Sequence, residues 1–389
     1  MRAAALALTC ALLGAAVALG LGRALGLVGG KTTETVVVHA PAPARNAPAA
    51  VRTVASPAVF SPARIFARLS PGVVTIFSYF GGAGAQGSGF VVSRNGTILT
   101  NAHVITNAGE TSGTVRAASS VYVEFADHDR VPAHVVGWDV FDDVGVLRVA
   151  AAAHALVPLP LGRSASVVVG EPVAAIGSPL GNADSLAVGV VSAVGRSIAA
   201  LTAPHFQLID AIQIDAPIAH GSSGGPLLDA AGRVIGINAQ IRTDQGSGSG
   251  VGFAVPADSA RRSLHDLLTK GNVRYAFAGL QTEDLTPTLA RHLRLPVVQG
   301  ALVDRVTPGG PAARAGLRGG SRSEQFQGEE VLAGGDVVVA IDGRPVGTAA
   351  ALVRIVTNDL RPGQTAVFAV LRGRSRRSIA IRLTARPPG

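Results

Sequence analysis

A glycine loop around a serine is the feature that most restricts what this chain can fold into. Ser223 lies in Gly221-Ser-Ser-Gly-Gly225, which leads directly into the apolar segment Pro226–Leu228. A serine hydroxyl is a weak nucleophile at neutral pH unless a neighbouring base accepts its proton. The loop therefore predicts an exposed nucleophile, provided that the fold brings a histidine and an orienting carboxylate to it.

Both partners are present upstream of the serine. His103 lies in Thr100-Asn-Ala-His-Val-Ile105, and Asp143 opens the apolar segment Asp143–Val149, with Asp142 as the alternative carboxylate. The order histidine, aspartate, serine is that of chymotrypsin, not that of subtilisin or the α/β-hydrolases.

At this point the sequence resembles the HtrA (Deg) proteases, which are trypsin-like serine proteases with one or more C-terminal PDZ domains. The resemblance runs from about Ser61 to Leu383. It implies a mostly β fold, a chymotrypsin-like double β-barrel followed by an α+β PDZ domain. The motifs that carry it are Gly87–Phe90, Thr100–His103, Asp143–Leu147, Ile176–Gly181, Gly221–Gly225 and Gly252–Pro256.

The resemblance also implies roles for single residues. His103 would be the general base, Asp143 its orienting carboxylate and Ser223 the nucleophile. The backbone amides of Gly221 and Ser223 would form the oxyanion hole, which requires a glycine turn because a side chain there would obstruct it. The family has asparagine where Ser222 stands, and we expect this to change the loop conformation modestly without loss of chemistry.

The rest of the first domain is typical of short strands with glycine or polar turns. Asn95-Gly96 predicts a two-residue hairpin, since both residues tolerate positive φ. The glycine cluster 81–89 lacks the Gly-Lys-Ser/Thr of a phosphate loop and predicts a flexible loop before a strand. A helix is predicted over Ala257–Lys270, where Ala260, Leu264, Leu267 and Leu268 share one face and Gly271 ends it.

The region from about Tyr275 to Ala385 resembles a PDZ domain, which binds a peptide C-terminus as an added strand. The resemblance implies that the amides of Ala278, Gly279 and Leu280 hold the terminal carboxylate and that Phe277 lines the pocket mouth. The family has a bulkier residue where Ala278 stands. A helix is predicted from Thr348 to Asn358, and the segment 319–331 is interpreted as a polar insertion in a surface loop.

The N-terminal segment Ala3–Gly22 is uncharged and, as a helix, long enough to span the roughly 30 Å of a bilayer core. A retained membrane anchor is favoured, while a signal peptide cleaved after Ala16-Val-Ala18 is the alternative. Either predicts export to the periplasm or the cell surface, with secretion if the segment is cleaved.

The expected domain boundaries are 1–30 (anchor or signal), 31–60 (Pro/Ala-rich linker), 61–258 (protease), 259–274 (connecting helix) and 275–386 (PDZ).

Composition argues against several other classes. The net charge is +9, but aromatic residues are only 4% and the arginines are scattered, so we expect no nucleic-acid binding. The single cysteine, Cys10, excludes intramolecular disulfides and cysteine-rich zinc sites. Its apolar surroundings favour a membrane-segment residue over a lipid attachment site. No motif indicates a metal or another cofactor, and none is predicted.

The resemblance thus implies an extracytoplasmic serine endopeptidase that cleaves misfolded or signal-bearing proteins, assembles as a homotrimer and recognises C-termini through its PDZ domain. Pro217, six residues before Ser223, stands where trypsin-like proteases that cut after basic residues have an acidic one, so aliphatic P1 residues are expected. The alternatives are a non-catalytic PDZ-type chaperone or binding protein and a processing protease with one client.

Overall fold

Short apolar segments of the first domain fold as antiparallel strands that close into two six-stranded barrels, which confirms the predicted fold class. The structure is a computed structural model and describes residues 60–108, 114–178, 185–200, 202–203, 206–218, 221–242 and 251–387, all within one unit. The first barrel is ordered β1-β2-β3-β6-β5-β4. Its strands are β1 (Val73–Phe80), β2 (Ala83–Val91), β3 (Thr97–Thr100), β4 (Ser120–Glu124), β5 (Arg130–Asp139) and β6 (Val144–Arg148).

The second barrel repeats this design in the order β10-β11-β12-β9-β8-β7. Phe90 and Val146 of the first barrel share one buried apolar cluster with Ile176 and Leu228 of the second, so the barrels pack on a common core. The strands are β7 (Pro172–Gly177), β8 (Ser185–Ala199), β9 (Gln207–Ile214), β10 (Pro226–Leu228), β11 (Val234–Arg242) and β12 (Val251–Pro256). The helices of this part are α1 (Pro62–Leu69), α2 (Ala102–Ile105) and α3 (Ala257–Lys270), with 3₁₀ turns at Ser70–Gly72 and Ser164–Ser166.

Helix α3 has the predicted bounds and ends at Gly271, whose φ of 72° is the left-handed conformation of a helix stop. The predicted buried face is only partly right. Ala260 and Leu267 are buried, but Leu268 is 45% exposed and Ser263 is fully buried instead. The Ser263 hydroxyl donates to the carboxylate of Asp139, a polar contact that an apolar periodicity does not reveal.

The second domain is a sheet in the order β14-β15-β18-β20-β21, with β19 paired to β18 and β13 paired to β22. Phe368, fully buried, lies in its core. The predicted helix 348–358 is present as α6, followed by a π-helical turn at Ile355–Asp359. The elements are β13 (Ala276–Phe277), β14 (Leu280–Asp284), α4 (Pro287–His292), β15 (Ala301–Val306), α5 (Pro311–Arg314), β16 (Arg322–Phe326), β17 (Glu329–Ala333), β18 (Val337–Ile341), β19 (Arg344–Pro345), α6 (Ala349–Arg354), β20 (Thr365–Arg372), β21 (Ser375–Arg382) and β22 (Thr384–Ala385).

Two glycine-rich or polar segments are more regular than predicted. The cluster 81–89 is not a loop: most of it is β2, paired along its length with β1. Its glycines provide space, because a Cβ on Gly87 would lie 2.7 Å from Val104. The segment 319–331 is not an unstructured insertion either. It forms most of the hairpin β16–β17, in which polar residues alternate with Phe326 and Val331, both of which belong to an apolar cluster.

Asn95-Gly96 does mark a hairpin, but the connection between its strands is longer than the two residues predicted. The loop between β2 and β3 is closed by Val92 N–H donating to Thr97 O, so four residues connect the strands. Only Gly96 has positive φ, at 89°, and its N–H donates to Ser93 O. A turn of this kind needs glycine only at its last position.

The predicted anchor Ala3–Gly22, the residue Cys10 and most of the linker 31–60 lie outside the described residues. Within the ranges that the structure describes, no helix combines the length and the apolar character that crossing a bilayer requires.

Leu267 and Leu268 provide a matched test of how α3 packs. Leu267 is 3% exposed and reaches Gly137 on β5, whereas Leu268 is 45% exposed. We expect Leu267→Ala to lower the free energy of unfolding by about 2–5 kcal/mol, because it leaves a cavity. Leu268→Ala should change it by less than about 0.5 kcal/mol. Urea unfolding of both variants checks this, and equal effects would contradict the described packing.

Candidate active site and peptide groove

His103 and Asp143 meet where two loops of the first barrel converge. His103 lies in α2, directly after β3, and Asp143 is the last residue of the turn between β5 and β6. One carboxylate oxygen of Asp143 lies 2.8 Å from His103 Nδ1, and the other accepts the His103 backbone N–H at 3.0 Å. The carboxylate therefore fixes both the ring and the backbone that carries it.

Asp143 is held in an uncommon conformation. Its φ is 51°, in the left-handed region that residues other than glycine seldom adopt. The side chain is 3% exposed, and the carbonyl accepts a hydrogen bond of 2.8 Å from Asn101 Nδ2. These contacts hold the residue in place at the end of its turn.

Two opposing effects set the pKa of His103. Burial lowers it, but the negative charge of Asp143 and the hydrogen bond between the two side chains raise it by more. The net result is a pKa above the ordinary value of 6.5. Asp143 also orders the tautomer, because a proton on Nδ1 facing the carboxylate leaves Nε2 as the accepting nitrogen.

Asp142, the alternative carboxylate, points elsewhere. Its Oδ2 accepts hydrogen bonds from Arg262 Nη2 at 2.6 Å and from the Tyr275 hydroxyl at 2.9 Å. The structure thus brings Asp143, and not its neighbour, to His103. Sequence reasoning gave Asp142 no role, because its partners are more than a hundred residues away in the chain.

The glycines after Ser223 let the loop lie against the first barrel. Gly224 has a φ of 88°, and a Cβ there would lie 2.0 Å from Ser88 O and 2.3 Å from Thr100 Oγ1. Ser88 N–H donates to Ser223 O at 2.7 Å. The loop is therefore fixed beside the segment that leads into His103, as the sequence predicts for a nucleophile.

In this structure the Ser223 hydroxyl donates to the backbone carbonyl of Ala239 at 3.0 Å, and not to His103. The serine is thus brought to the histidine loop, but its hydrogen bond is made to β11. A rotation about χ1 moves a serine hydroxyl between staggered positions without movement of the backbone.

Ser88 is a residue of this site that sequence reasoning named only as part of a motif. Its hydroxyl donates to Gly221 O at 2.6 Å and accepts the Ser178 N–H at 2.8 Å. Gly221 has a φ of 93°. A serine between two glycines in β2 is the only signal, and it does not disclose which carbonyl the hydroxyl reaches.

Of the two amides predicted for the oxyanion hole, the structure describes the whole peptide of only one, that of Ser223. Ser222 O accepts the Gly225 N–H at 3.1 Å, so the Ser223 N–H points to the opposite side of that trans peptide. The Gly221 N–H belongs to the peptide shared with His220, which lies outside the described residues. The predicted pairing of these amides stays a prediction.

The region next to the serine loop is apolar. Ile218 is 7% exposed, and a Cβ on Gly252 would lie 2.9 Å from its side chain. Pro217, the residue expected at the base of the pocket, is exposed. Its two neighbours in the chain, Ala216 and Ile218, are both buried.

A groove of about 620 Å³ crosses the second domain. The predicted carboxylate-binding residues Phe277, Ala278, Gly279 and Leu280 line one side of it, and α6 lines the other. Ser197, Phe206 and Gln207 of the second barrel also line it, as does Arg386. Arg354 Nε on α6 donates to Asp210 Oδ1 at 2.6 Å, which holds this wall against the second barrel.

The backbone of the groove loop presents N–H groups outward. Ala278 O accepts the Ala312 N–H and Gly279 O accepts the Thr307 N–H, each at 2.9 Å. In a trans peptide the C=O and the following N–H point in opposite directions. The N–H groups of Gly279 and Leu280 therefore point away from α5 and Thr307, an arrangement that suits an anion.

Among the described residues, no group of three or more His, Cys, Asp or Glu side chains is placed to hold a metal ion. The prediction of no metal and no cofactor is not tested by this observation and stays a prediction.

Comparison with known proteins identifies two domains. Residues 87–237 match the trypsin-like peptidase domain, and residues 276–383 match the PDZ domain. The solved structure "HtrA-type protease AlgW with tripeptide" superposes with a TM-score of 0.69 at 31% identity, covering 85% of this chain and 98% of that one.

Relatives known from sequence carry consistent names. "Putative serine protease HhoA" of Synechocystis sp. is 38% identical over 279 residues, which is 70% of this chain and 64% of that protein. "Protease Do-like 1, chloroplastic" of Arabidopsis thaliana is 37% identical over 302 residues, 78% of this chain and 64% of that protein. A "Probable periplasmic serine endoprotease DegP-like" of Pseudomonas fluorescens is 35% identical over 78% of this chain and 57% of its own length. The chain thus spans less than two thirds of these relatives.

The pKa of His103 can be measured directly. In protein labelled with ¹³C-histidine, we expect the NMR titration of His103 to have its midpoint above 6.5. Asp143→Asn removes the charge that raises the pKa and leaves the burial that lowers it, so the midpoint should fall below 6.5. Asp142→Asn is the matched comparison and should lower the midpoint by less, because Asp142 does not contact His103 itself. An unchanged midpoint in Asp143→Asn would refute the assigned pairing.

Proposed function

The chain belongs to the HtrA/DegP-like family of trypsin-like serine proteases with a PDZ domain, and we propose that it is itself a serine endopeptidase. The observation that carries the proposal is the contact of 2.8 Å between Asp143 and His103, beside a glycine loop that holds Ser223. Family membership alone indicates a fold, whereas this contact identifies a histidine that can act as the general base.

The proposed reaction starts with a rotation of the Ser223 hydroxyl from Ala239 O towards His103 Nε2. The hydroxyl oxygen attacks the carbonyl carbon of the scissile peptide while His103 takes its proton. Asp143 keeps its charge and stabilises the imidazolium. The C–N bond then breaks as His103 returns the proton to the leaving amine, and water releases the acyl group by the same steps.

The amides of Gly221 and Ser223 are the proposed donors to the oxyanion that forms in this attack. Ser88 supports this assignment, because its hydrogen bond to Gly221 O restrains the loop in which both residues lie. Donors that are fixed before the reaction stabilise developing charge without a reorganisation cost.

Aliphatic residues are the proposed P1 preference. Ile218 and the close approach of Gly252 support it, because an apolar residue is buried close to the serine loop and Pro217 offers a charged P1 side chain no acidic partner. Pro217 itself is exposed, so the argument for an apolar P1 residue rests on its buried neighbour Ile218.

The PDZ domain is proposed to bind peptide C-termini in the groove beside α6. The outward N–H groups of Gly279 and Leu280 support capture of a carboxylate, with Phe277 at the mouth and Ala278 leaving room for the last side chain. A relative of known structure was solved with a tripeptide, which is consistent with peptide binding.

The proposed setting is extracytoplasmic, with misfolded or signal-bearing proteins as substrates, because relatives include proteins named periplasmic serine endoproteases. A homotrimer is proposed, as is attachment to a membrane through residues 3–22 where that segment is retained. The proposed boundaries are 61–258 for the protease domain, 259–274 for the connecting segment, which contains most of α3 (Ala257–Lys270), and 275–386 for the PDZ domain.

Ser223→Ala tests the nucleophile. We expect kcat for casein to fall on the order of 10⁶-fold, because the members of a triad act as a unit. A serine-directed phosphonate should label the wild-type protein at Ser223 and should not label the variant. Mass spectrometry of the digested protein locates the label.

Ser222→Ala is the matched control, since it removes the neighbouring hydroxyl from the same loop. It should retain labelling at Ser223 and most of the activity. Casein cleavage by Ser223→Ala at the wild-type rate would reject the peptidase assignment and would favour the client-holding alternative.

The groove can be tested with the full chain carrying Ser223→Ala, which prevents cleavage of the ligand. Peptides with apolar C-termini should bind, and amidation of the terminal carboxylate should weaken binding by roughly 1.5–3 kcal/mol, the range of a charge-assisted hydrogen bond. Isothermal calorimetry with acid and amide forms measures the difference. Equal affinities would rule out carboxylate capture.

A further inference from the structure

The turn that carries Asp143 is held from outside its own barrel. It comprises Val140–Asp143, between β5 and β6. The Thr202 hydroxyl, from the connection between β8 and β9, donates to Val140 O. The Phe141 ring packs edge-on against Phe206 at 5.0 Å and against Tyr275 at 5.4 Å. Position and tilt of this turn are thus set by the second barrel and by the segment after α3.

Two buried carboxylates lie at the turn, Asp139 directly before it and Asp142 within it, and one tyrosine hydroxyl contacts both. Asp139 Oδ1 accepts the Phe141 N–H at 3.0 Å, and its Oδ2 lies 2.5 Å from the Tyr275 oxygen. Asp142 Oδ2 lies 2.9 Å from the same oxygen and accepts from Arg262 Nη2 at 2.6 Å. Tyr275 and Arg262 thus hold both ends of the turn that places Asp143.

The charges in this cluster require both partners. Burial and, after it, the charge of Asp142 together raise the pKa of Asp139 to about 6, although hydrogen bonds from Ser263, Tyr275 and Phe141 lower it. The pKa of Tyr275 is raised well above its usual value by burial and by the two carboxylates, so the hydroxyl keeps its proton. Burial lowers the pKa of Arg262, but Asp142 and the neighbouring groups raise it by more, and the guanidinium stays charged. Without the hydroxyl, two like charges would face each other in a buried site beside the Arg262 and Arg386 guanidinium groups.

We propose that Tyr275 and Arg262 are positioning residues for the catalytic carboxylate. They act through Asp139 and Asp142 and contact neither His103 nor Ser223. Asp143 immediately follows Asp142, has positive φ and must reach His103 with both oxygens. A displacement of about 1 Å at such a site costs on the order of 10²-fold in rate. The inference rests on the proposed peptidase function, since it assigns a support for that triad.

Tyr275→Phe in the full chain is the first test, because it removes the hydroxyl and keeps the ring against Phe141. We expect kcat to fall about tenfold, the factor given by the loss of one buried hydrogen bond, with KM within about twofold. The acid limb of the pH profile of kcat/KM should move to lower pH, because weaker pairing with Asp143 lets the pKa of His103 fall. A role limited to stability would leave this limb in place.

Tyr122→Phe is the matched control, since it removes the hydroxyl of a tyrosine that is 37% exposed on β4. It should leave both kcat and the pH profile at their wild-type values. Arg262→Lys, which keeps the charge and shortens the reach to Asp142, is the second variant and is informative if Tyr275→Phe folds poorly. It should shift the acid limb in the same direction.

The outcomes separate the two ideas. If the phosphonate fails to label the wild-type protein, the peptidase function itself is wrong. If the wild-type protein is labelled and cleaves casein, but Tyr275→Phe and Arg262→Lys both keep the wild-type acid limb, only the positioning role is overturned. A shifted acid limb in either folded variant, with Tyr122→Phe unchanged, supports the inference.

Discussion

The two contacts between His103 and the carboxylate of Asp143 are the interaction on which the rest of the site depends. One oxygen fixes the ring and the other fixes the backbone of α2, so the imidazole has no independent freedom. Asp143 is buried and His103 is partly buried, and burial alone lowers the pKa of His103. Asp143 therefore has to be held close and charged. Much of the surrounding structure, including Asn101 and the turn at Asp142, serves that requirement.

Ser223, the proposed nucleophile, comes from the other barrel, and polar contacts align it. Apolar packing between the barrels is strong but has little direction, whereas hydrogen bonds fix distance and angle. Ser88 of the first barrel contacts Ser178 and Gly221 of the second, and its N–H is bonded to Ser223 O. Thr75 Oγ1 adds a bond of 2.6 Å to Ser178 Oγ. These contacts determine where the serine loop lies relative to His103, which a shared hydrophobic core would not.

Periodicity predicted short strands and helix α3, because both depend on local sequence, whereas the two barrels and the candidate site residues were implied by the resemblance that the motifs carry. Predictions from sequence failed where a residue's partner is distant in the chain. Leu268 belongs to the apolar stripe by spacing, but the buried position is taken by Ser263, whose partner Asp139 is on another element. The glycines of β2 suggested flexibility, although they make room for Val104 and Ile76. Sequence could favour Asp143 over Asp142 only by resemblance, since the role of Asp142 appears only with Arg262 and Tyr275.

The peptide groove and the turn of Asp143 have neighbours in common. Phe206 lines the groove and packs on Phe141, and the Arg386 guanidinium lies 4.9 Å from the Phe141 ring while it also lines the groove. A ligand can influence the turn through these neighbours only if they have two arrangements and the ligand binds one of them more tightly than the other. A carboxylate held solely by the Gly279 and Leu280 amides makes no such difference. A ligand side chain that binds one arrangement of Phe206 or Arg386 more tightly would make such a difference. In the proposed peptide binding, the identity of the last residues, and not the presence of a free terminus, is therefore what can link the groove to the geometry at His103.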